Sequence, residues 1–153
     1  MKLIVAIHPG EQVSPGRTPS STRWSEFLGS SGFEVRWVDV RSADILDQLT
    51  GCHAFMWNWL HFDGSERIAR RLLPVIEREL RIPVFPDQRT CWHFNDKIAQ
   101  AYLLKALQIP IPQTWIWFDR RRAEEWASQA HYPLVLKLAT GGQSKNVRLI
   151  SDF

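Results

Sequence analysis

The sequence contains few cysteines, no long apolar run and no strong excess of one charge. Its two cysteines, Cys52 and Cys91, have neither metal-ligand spacing nor the number that a disulfide scaffold needs. The apolar run at residues 2–7 is too short for a signal-peptide core, and no segment reaches the length of a membrane helix. These absences favour a cytoplasmic location, reduced thiols and no membrane partner.

Charge and composition are those of an ordinary globular domain. Hydrophobic residues make up 44% of the chain and charged residues 23%, and the formal net charge is +3. The basic residues are scattered or follow helical spacing, which is typical of solvated helix faces rather than of a nucleic-acid surface. The eight tryptophans are spread along the chain, so packing in and around a core is their expected role.

Strand and helix patterns alternate through the first part of the chain. Short apolar runs near residues 3–7, 33–37, 54–57 and 82–85 are separated by segments with helical periodicity. This alternation predicts a parallel, doubly wound sheet over residues 1–88. A dehydrogenase would need G-x-G-x-x-G after the first strand, and the residues that follow His8 do not supply it. A flavodoxin-like or dehydrogenase-like domain would also leave residues 89–150 unexplained.

Ligands of such sheets bind beyond the carboxyl ends of the strands. His8 follows the first strand, Asp39 ends the second, and Asn58 and His61 follow the third. The loops that contain these residues are therefore candidates for binding a ligand. The alternatives are ordinary loop histidines with backbone partners and, for Asp39, a cap at the end of a strand.

Lys97 lies in the first turn of a predicted amphipathic helix. Asn95 or Asp96 is a suitable N-cap, and the apolar residues that follow are predicted to share one buried face: Ala99, Tyr102, Leu103, Ala106 and Leu107. A cation in the first turn faces the positive end of the helix dipole, which costs roughly 0.3–1 kcal/mol unless an anion lies between them. A phosphate bound at this helix start would turn that cost into a favourable interaction. The alternative is a solvated lysine whose small cost is tolerated.

Lys137 lies in a predicted apolar strand that runs into Gly141 and Gly142. An ammonium in such a strand either reaches the rim of the sheet or faces a negative group, because burying it alone is costly. The two glycines allow backbone amides to approach phosphates closely, and the Ser144 hydroxyl adds a donor. A plain hairpin turn is the alternative for Gly141 and Gly142. The two lysines together indicate half of a site for ATP.

Residues 84–150 resemble the opening of an ATP-grasp domain. In that superfamily an Asn/Asp-Lys pair and a helix precede an Ile-Pro-x-Pro-x-Thr segment, a strand, a helix, a strand of the form Pro-x-Val-x-Lys and a glycine-rich loop. The matching segments occur here in the same order and spacing: Asn95-Asp96-Lys97, Leu107-Gln108-Ile109-Pro110-Ile111-Pro112-Gln113-Thr114, Pro133-Leu134-Val135-Leu136-Lys137 and Gly141-Gly142-Gln143-Ser144-Lys145-Asn146-Val147. The last matching segment, Ser144-Lys145-Asn146-Val147-Arg148-Leu149-Ile150, is similar to that of the branch of glutathione synthetases and ribosomal-protein glutamate ligases. The loop holds fewer glycines than in many members.

The resemblance implies an α/β fold with two domains. Residues 1–88 would form a parallel, Rossmann-like pre-ATP-grasp domain, and residues 89–153 the first, incomplete α+β part of an ATP-grasp domain. Residues 113–150 are expected to hold antiparallel strands and a helix over residues 120–130.

The resemblance also implies the ligands of the site. ATP would be bound by Lys97, Lys137, Gly141, Gly142 and Ser144. Magnesium would accompany it, with ligands outside this chain and none within it. The loops that hold His8, Asn58 and His61 would bind the acceptor substrate.

The implied reaction is ATP-dependent ligation of a small-molecule or peptide carboxylate to an amine or a related nucleophile through an acyl phosphate. The chain would be the N-terminal fragment of such an enzyme and inactive by itself. A non-catalytic nucleotide-binding or assembly module is the alternative. Because a partial domain exposes apolar strand residues, we expect self-association into a homodimer, or loss of order after about Gly141.

Overall fold

The computed structural model describes residues 2–10, 18–59, 64–140 and 146–153. The chain divides into two compact units, Met1–Trp92 and His93–Phe153. The predicted domain boundary after residue 88 lies close to this division. Within the described part of the chain, no helix has both the length and the apolar character that crossing a membrane requires.

A four-stranded parallel sheet forms the centre of the first unit. Its strands are β1 (Ile4–Ile7), β2 (Glu34–Trp37), β3 (Ala54–Met56) and β4 (Val84–Phe85). Their order across the sheet is β2-β1-β3-β4, and every neighbouring pair is parallel. The α/β fold class predicted from the alternating pattern is therefore confirmed.

In the described part of the first unit, four helices connect or follow these strands. They are α1 (Ser20–Ser30), α2 (Ile45–Gln48), α3 (Ser65–Pro74) and α4 (Gln88–Cys91). The chain continues from α3 into a π-helical segment, Val75–Glu79, in which the Leu80 amide donates to the Val75 carbonyl at 3.0 Å. The change of helix type follows Pro74, which has no N–H with which to continue the α-helical pattern.

The core of the first unit packs against the sheet. Its largest fully buried side chains include Ile7 of β1, Phe55 of β3, Trp57 in the loop after β3, Leu49 and Ile76. Strands β1, β3 and β4 are apolar throughout, as the strands of a parallel sheet usually are when helices cover it, whereas the edge strand β2 includes Glu34 and Arg36. Burial of these side chains is the main source of stability in this unit.

Two helices and a pair of antiparallel strands make up the regular elements among residues 93–140 and 146–153 of the second unit. The elements are α5 (Lys97–Ala106), α6 (Arg120–Ala127), β5 (Leu134–Lys137) and β6 (Val147–Ile150). β5 and β6 pair in a register that places Leu134 opposite Ile150 and Lys137 opposite Val147. The antiparallel pair and the helix near residues 120–130 confirm the prediction. The strand that the resemblance implies before α6 is absent, since residues 109–119 form no regular element.

Apolar side chains of the second unit remain accessible. Among residues 93–140 and 146–153 none is fully buried, and the predicted buried face of α5 is wrong because Tyr102, Ala106 and Leu107 are exposed. The main aromatic packing joins Trp126 of α6 to Trp115 and Trp117, with ring centroids 4.7 and 5.8 Å apart. Two helices and two strands offer too little surface to enclose a core.

The expected loss of order after about Gly141 is wrong for the segment that follows the loop. β6 lies in this segment and pairs along its whole length with β5. Residues 141–145 lie outside the described residues.

Replacing Phe55 tests the packing of the first unit. Phe55→Ala removes a fully buried ring and should lower the free energy of unfolding by about 3–5 kcal/mol. Phe27→Ala in α1 is the matched control, because Phe27 is 70% exposed, and it should change stability by less than about 1 kcal/mol. Urea unfolding, followed through NMR signals of the first unit, measures both. Equal effects would contradict the assigned core.

Candidate functional site

The start of α5 is fixed by the side chain of Asp96. One carboxylate oxygen, Oδ1, accepts hydrogen bonds from the Ile98 amide at 3.1 Å and from the Ala99 amide at 2.9 Å. Asp96 itself has an extended backbone, as N-cap residues do. The sequence allowed either Asn95 or Asp96 as the cap, and the structure selects Asp96.

The same turn is joined to the end of β5. The Lys97 amide donates to the Ala139 carbonyl at 2.9 Å, and Asp96 forms an antiparallel bridge with Thr140. Ala139 lies two residues beyond Lys137, the last residue of β5. The fold therefore brings together the two segments that carry the predicted phosphate-binding lysines, although forty residues separate them in the sequence.

Lys137 is exposed, and so are the apolar residues around it in β5. Val135 is 55% and Leu136 53% exposed, so β5 is not the buried strand that its composition predicts. Because Lys137 is exposed, its ammonium group can remain hydrated and does not require a negatively charged partner. Lys97 is half-buried.

The loop between β5 and β6 contains three more predicted ligands. Gly141, Gly142 and Ser144 lie outside the described residues. At the two ends of the loop, the Leu138 amide donates to the Asn146 carbonyl at 3.1 Å, and the Asn146 side chain donates to the Thr140 carbonyl at 3.1 Å. These bonds join the described segments on either side of the loop. The alternative given for Gly141 and Gly142, a plain hairpin turn, falls on residues outside the described ones.

His8 occupies the carboxyl end of β1 in the first unit. The residue is 3% exposed, and its ring lies edge-on to Trp57 and places Nδ1 3.1 Å from the Val38 carbonyl. The His8 amide donates to the Met56 carbonyl at 3.1 Å. The backbone partner expected of an ordinary loop histidine is thus present, but the ring is buried at the edge where ligands of such sheets bind.

Asn58 lies at the same edge and is exposed. A Cβ atom added to Gly10 would lie 3.8 Å from the Asn58 carbonyl and 3.6 Å from the Ser21 hydroxyl. The loops after β1 and β3 are therefore close together, as the parallel order predicts. His61 lies outside the described residues.

Asp39 has a structural role at the end of β2. Its Oδ1 accepts a hydrogen bond from the Arg41 amide at 2.9 Å, which closes a turn. The alternative given for Asp39, a cap at a strand end, is the one observed.

Sequence reasoning missed two residues at this edge, Arg41 and Ser65. The Arg41 guanidinium lies 3.4 Å from His8 through Nη1 and 3.4 Å from the Ser65 hydroxyl through Nη2. Both positions follow from the topology, because Arg41 lies in the loop after the second strand and Ser65 begins the helix after the third.

Metal-ligating clusters and cysteine thiols represent a chemistry separate from that of the lysine site. Among them, no group of three or more His, Cys, Asp or Glu side chains could hold a metal ion. Burial raises the pKa of the Cys52 thiol and that of the Cys91 thiol, so the nucleophilic thiolate is disfavoured at both positions.

Comparisons with known proteins agree with the sequence motifs. No protein-family model matches the chain. Over 65 residues, or 42% of its length, the chain is 35% identical to the alpha-aminoadipate--LysW ligase LysX of Saccharolobus solfataricus. The matched segment spans only 24% of that ligase.

A solved structure shares the fold of nearly the whole chain. N5-carboxyaminoimidazole ribonucleotide synthetase from Thermotoga maritima matches 99% of the chain with a TM-score of 0.69 and 20% sequence identity. The chain covers 42% of that structure. At this identity the likeness shows the fold, and the two comparisons together confirm the predicted resemblance over the part that they cover.

Replacing Asp96 tests the geometry of the lysine site. Asp96→Ala removes both side-chain bonds to the first turn of α5 and should cost about 0.5–2 kcal/mol of local stability. Hydrogen exchange at the Ile98 and Ala99 amides should accelerate accordingly. Asp119→Ala is the matched control, since Asp119 caps α6 by accepting from the Arg122 amide at 2.8 Å. Unchanged exchange at Ile98 and Ala99 would disprove the cap.

Proposed function

We propose that this chain supplies part of the nucleotide site of an ATP-dependent carboxylate–amine ligase of the ATP-grasp superfamily, a proposal that the sequence likeness to the LysX ligase and the shared fold of the solved synthetase support. The phosphates of ATP would lie at Lys97 and Lys137 and at the amides of the loop that contains Gly141, Gly142 and Ser144. The acceptor substrate would lie at the carboxyl end of the parallel sheet, near His8, Asn58 and His61.

One observation carries the proposal for ATP. The hydrogen bond from the Lys97 amide to the Ala139 carbonyl places a helix start with a cationic residue beside the end of a strand that carries a second cation. Two lysines on joined segments suit a polyphosphate, whose charge attracts both. The exposed Lys137 can reach such a ligand without first losing a buried partner.

In this proposal the lysines act through charge and position. Phosphoryl transfer from ATP to the substrate carboxylate would form an acyl phosphate, and an amine or related nucleophile would then displace phosphate. Negative charge on the transferred group is spread over its oxygens, so nearby ammonium groups lower the barrier by stabilising that charge. The Asp96 cap and the bond to Ala139 would hold Lys97 in place.

Magnesium usually accompanies ATP in such chemistry. Among the described residues, no group of three or more His, Cys, Asp or Glu side chains could hold a metal ion. The resemblance implies metal ligands outside this chain, and no role in metal binding is proposed for any residue named here.

A non-catalytic nucleotide-binding or assembly module is the second candidate function. Apolar side chains on both strands of the β5–β6 pair are exposed, including Val135, Leu136, Leu138 and Leu149. Exposed apolar strands tend to pair with or pack against other chains. This exposed apolar surface supports self-association into a homodimer, just as the two lysines support a catalytic role.

The lysine site is tested by ATP binding. Lys97→Ala and Lys137→Ala should each weaken binding of Mg·ATP by about 1.5–3 kcal/mol, the usual size of a charge-assisted contact. Because the chain covers only 42% of its structural neighbour, we expect weak binding, which NMR titration of the Lys97, Ala139 and Thr140 amides can follow.

Lys105→Ala is the matched control for this titration. Lys105 is exposed in the last turn of α5, so its loss removes the same charge from the opposite end of the helix. It should leave the titration unchanged. If both site variants retain wild-type affinity, the lysine pair is not the ATP site, and the module becomes the better proposal.

A further inference from the structure

An open groove lies between α2 and α3 of the first unit. In the strand order β2-β1-β3-β4, the crossovers from β2 to β3 and from β3 to β4 run in the same direction across the sheet. Right-handed crossovers in one direction place their helices side by side on one face of the sheet. Because α2 has only four residues, about one turn, it cannot cover the neighbouring side of α3. A groove with a volume of about 300 Å³ remains.

The groove is apolar inside and basic at its rim. Leu46 of α2 and Ile68 and Leu72 of α3 line it, and Leu46 is 43% exposed. Arg67 and Arg71 also line it, and both are exposed and one helical turn apart on α3. An exposed apolar surface with a polar rim is typical of a site where proteins associate.

The two arginines have no acidic partner in the described part of the chain. The ion pair of α3 there joins Glu66 to Arg70. Arg71 Nη1 donates instead to the Arg67 carbonyl at 2.7 Å. None of the described residues that line the groove is acidic. Both guanidinium groups can therefore pair with carboxylates of another molecule.

An acidic counterpart of this rim lies on the same surface. Asp47 follows Leu46 in α2, is exposed and has no cationic partner among the described residues. A dimer with two-fold symmetry uses the same patch on both copies, so each patch must complement itself. This patch does so, because it combines an exposed leucine with an apolar groove and a carboxylate with two arginines. A second copy of the chain therefore fits the groove better than an unrelated acidic protein does.

We propose that the α2–α3 groove is the interface between two copies of this chain related by a two-fold axis. Leu46 of each copy enters the groove of the other, and Asp47 pairs with the partner's Arg67 and Arg71. The interface lies wholly in the first unit and is distinct from the exposed β5–β6 surface. It goes beyond the proposed function, since it involves neither the lysine site nor the acceptor loops.

Sedimentation equilibrium of the full chain without nucleotide tests the interface. The wild type should dimerise as its concentration rises. Leu46→Lys places an ammonium group beside the partner's two arginines and should weaken dimerisation at least about tenfold. Phe27→Lys is the matched control, because Phe27 is an exposed apolar residue of α1 outside the groove, and it should leave dimerisation unchanged. Unshifted amide signals of the buried Phe55 verify that each variant is folded.

Charge reversal gives a sharper test. One variant carries Asp47→Arg, and a second carries both Arg67→Glu and Arg71→Glu. Each should remain monomeric alone, because like charges then meet across the axis. An equimolar mixture of the two should form a heterodimer, since both contacts become attractive again. Arg23→Glu, which reverses an exposed charge in α1, is the control and should dimerise as the wild type does.

Three results would overturn the proposal. The first is a wild-type chain that stays monomeric at every concentration, which would leave the groove to a different partner. The second is a dimer that survives Leu46→Lys but is lost in Leu149→Lys, which would assign association to the β5–β6 surface. The third is no heterodimer from the two folded charge-reversed variants. Because no nucleotide is present, failure here is distinguishable from failure of the ATP site.

Discussion

The hydrogen bond between the Lys97 amide and the Ala139 carbonyl is the contact on which the candidate nucleotide site depends. It joins the first turn of α5 to the end of β5, and the bridge between Asp96 and Thr140 continues the same connection. Without it, the two lysines would belong to unrelated surface elements. Because the Asp96 side chain caps the helix at the same point, one short segment both begins the helix and attaches it to the strand. A site for a charged ligand requires this kind of fixed backbone.

The two units of the chain are stabilised by different means. The first encloses aromatic and aliphatic side chains such as Phe55 and Trp57 around a parallel sheet. The second has no fully buried residue in its described part and depends on local devices: the caps Asp96 and Asp119, the β5–β6 ladder and the packing around Trp126. We therefore expect the first unit to be the more resistant to unfolding, since buried apolar area contributes more than isolated caps do.

Local patterns in the sequence predicted the positions of helices and strands better than they predicted which side chains are buried. Alternating apolar runs identified the parallel sheet, and the Asp-Lys pair identified the start of α5, because both signals come from neighbouring residues. The same reasoning wrongly predicted that one face of α5 is buried. Tyr102 and Leu107 have the spacing of such a face, but both are exposed because too little of the second unit packs against them. Arg41 was missed because its position depends on contacts with His8 and Ser65, which only the folded chain brings together.

Paramagnetic broadening by Mn·ATP tests most directly whether ATP binds where α5 and β5 meet. Manganese replaces magnesium on the phosphates and weakens NMR signals of nearby protons. If the phosphates lie at this junction, the amides of Lys97, Ala139 and Thr140 lose intensity first, whereas the Arg122 amide in α6 keeps its own. Uniform loss over the chain, or selective loss elsewhere with the three junction amides unaffected, would contradict the assignment of the nucleotide site.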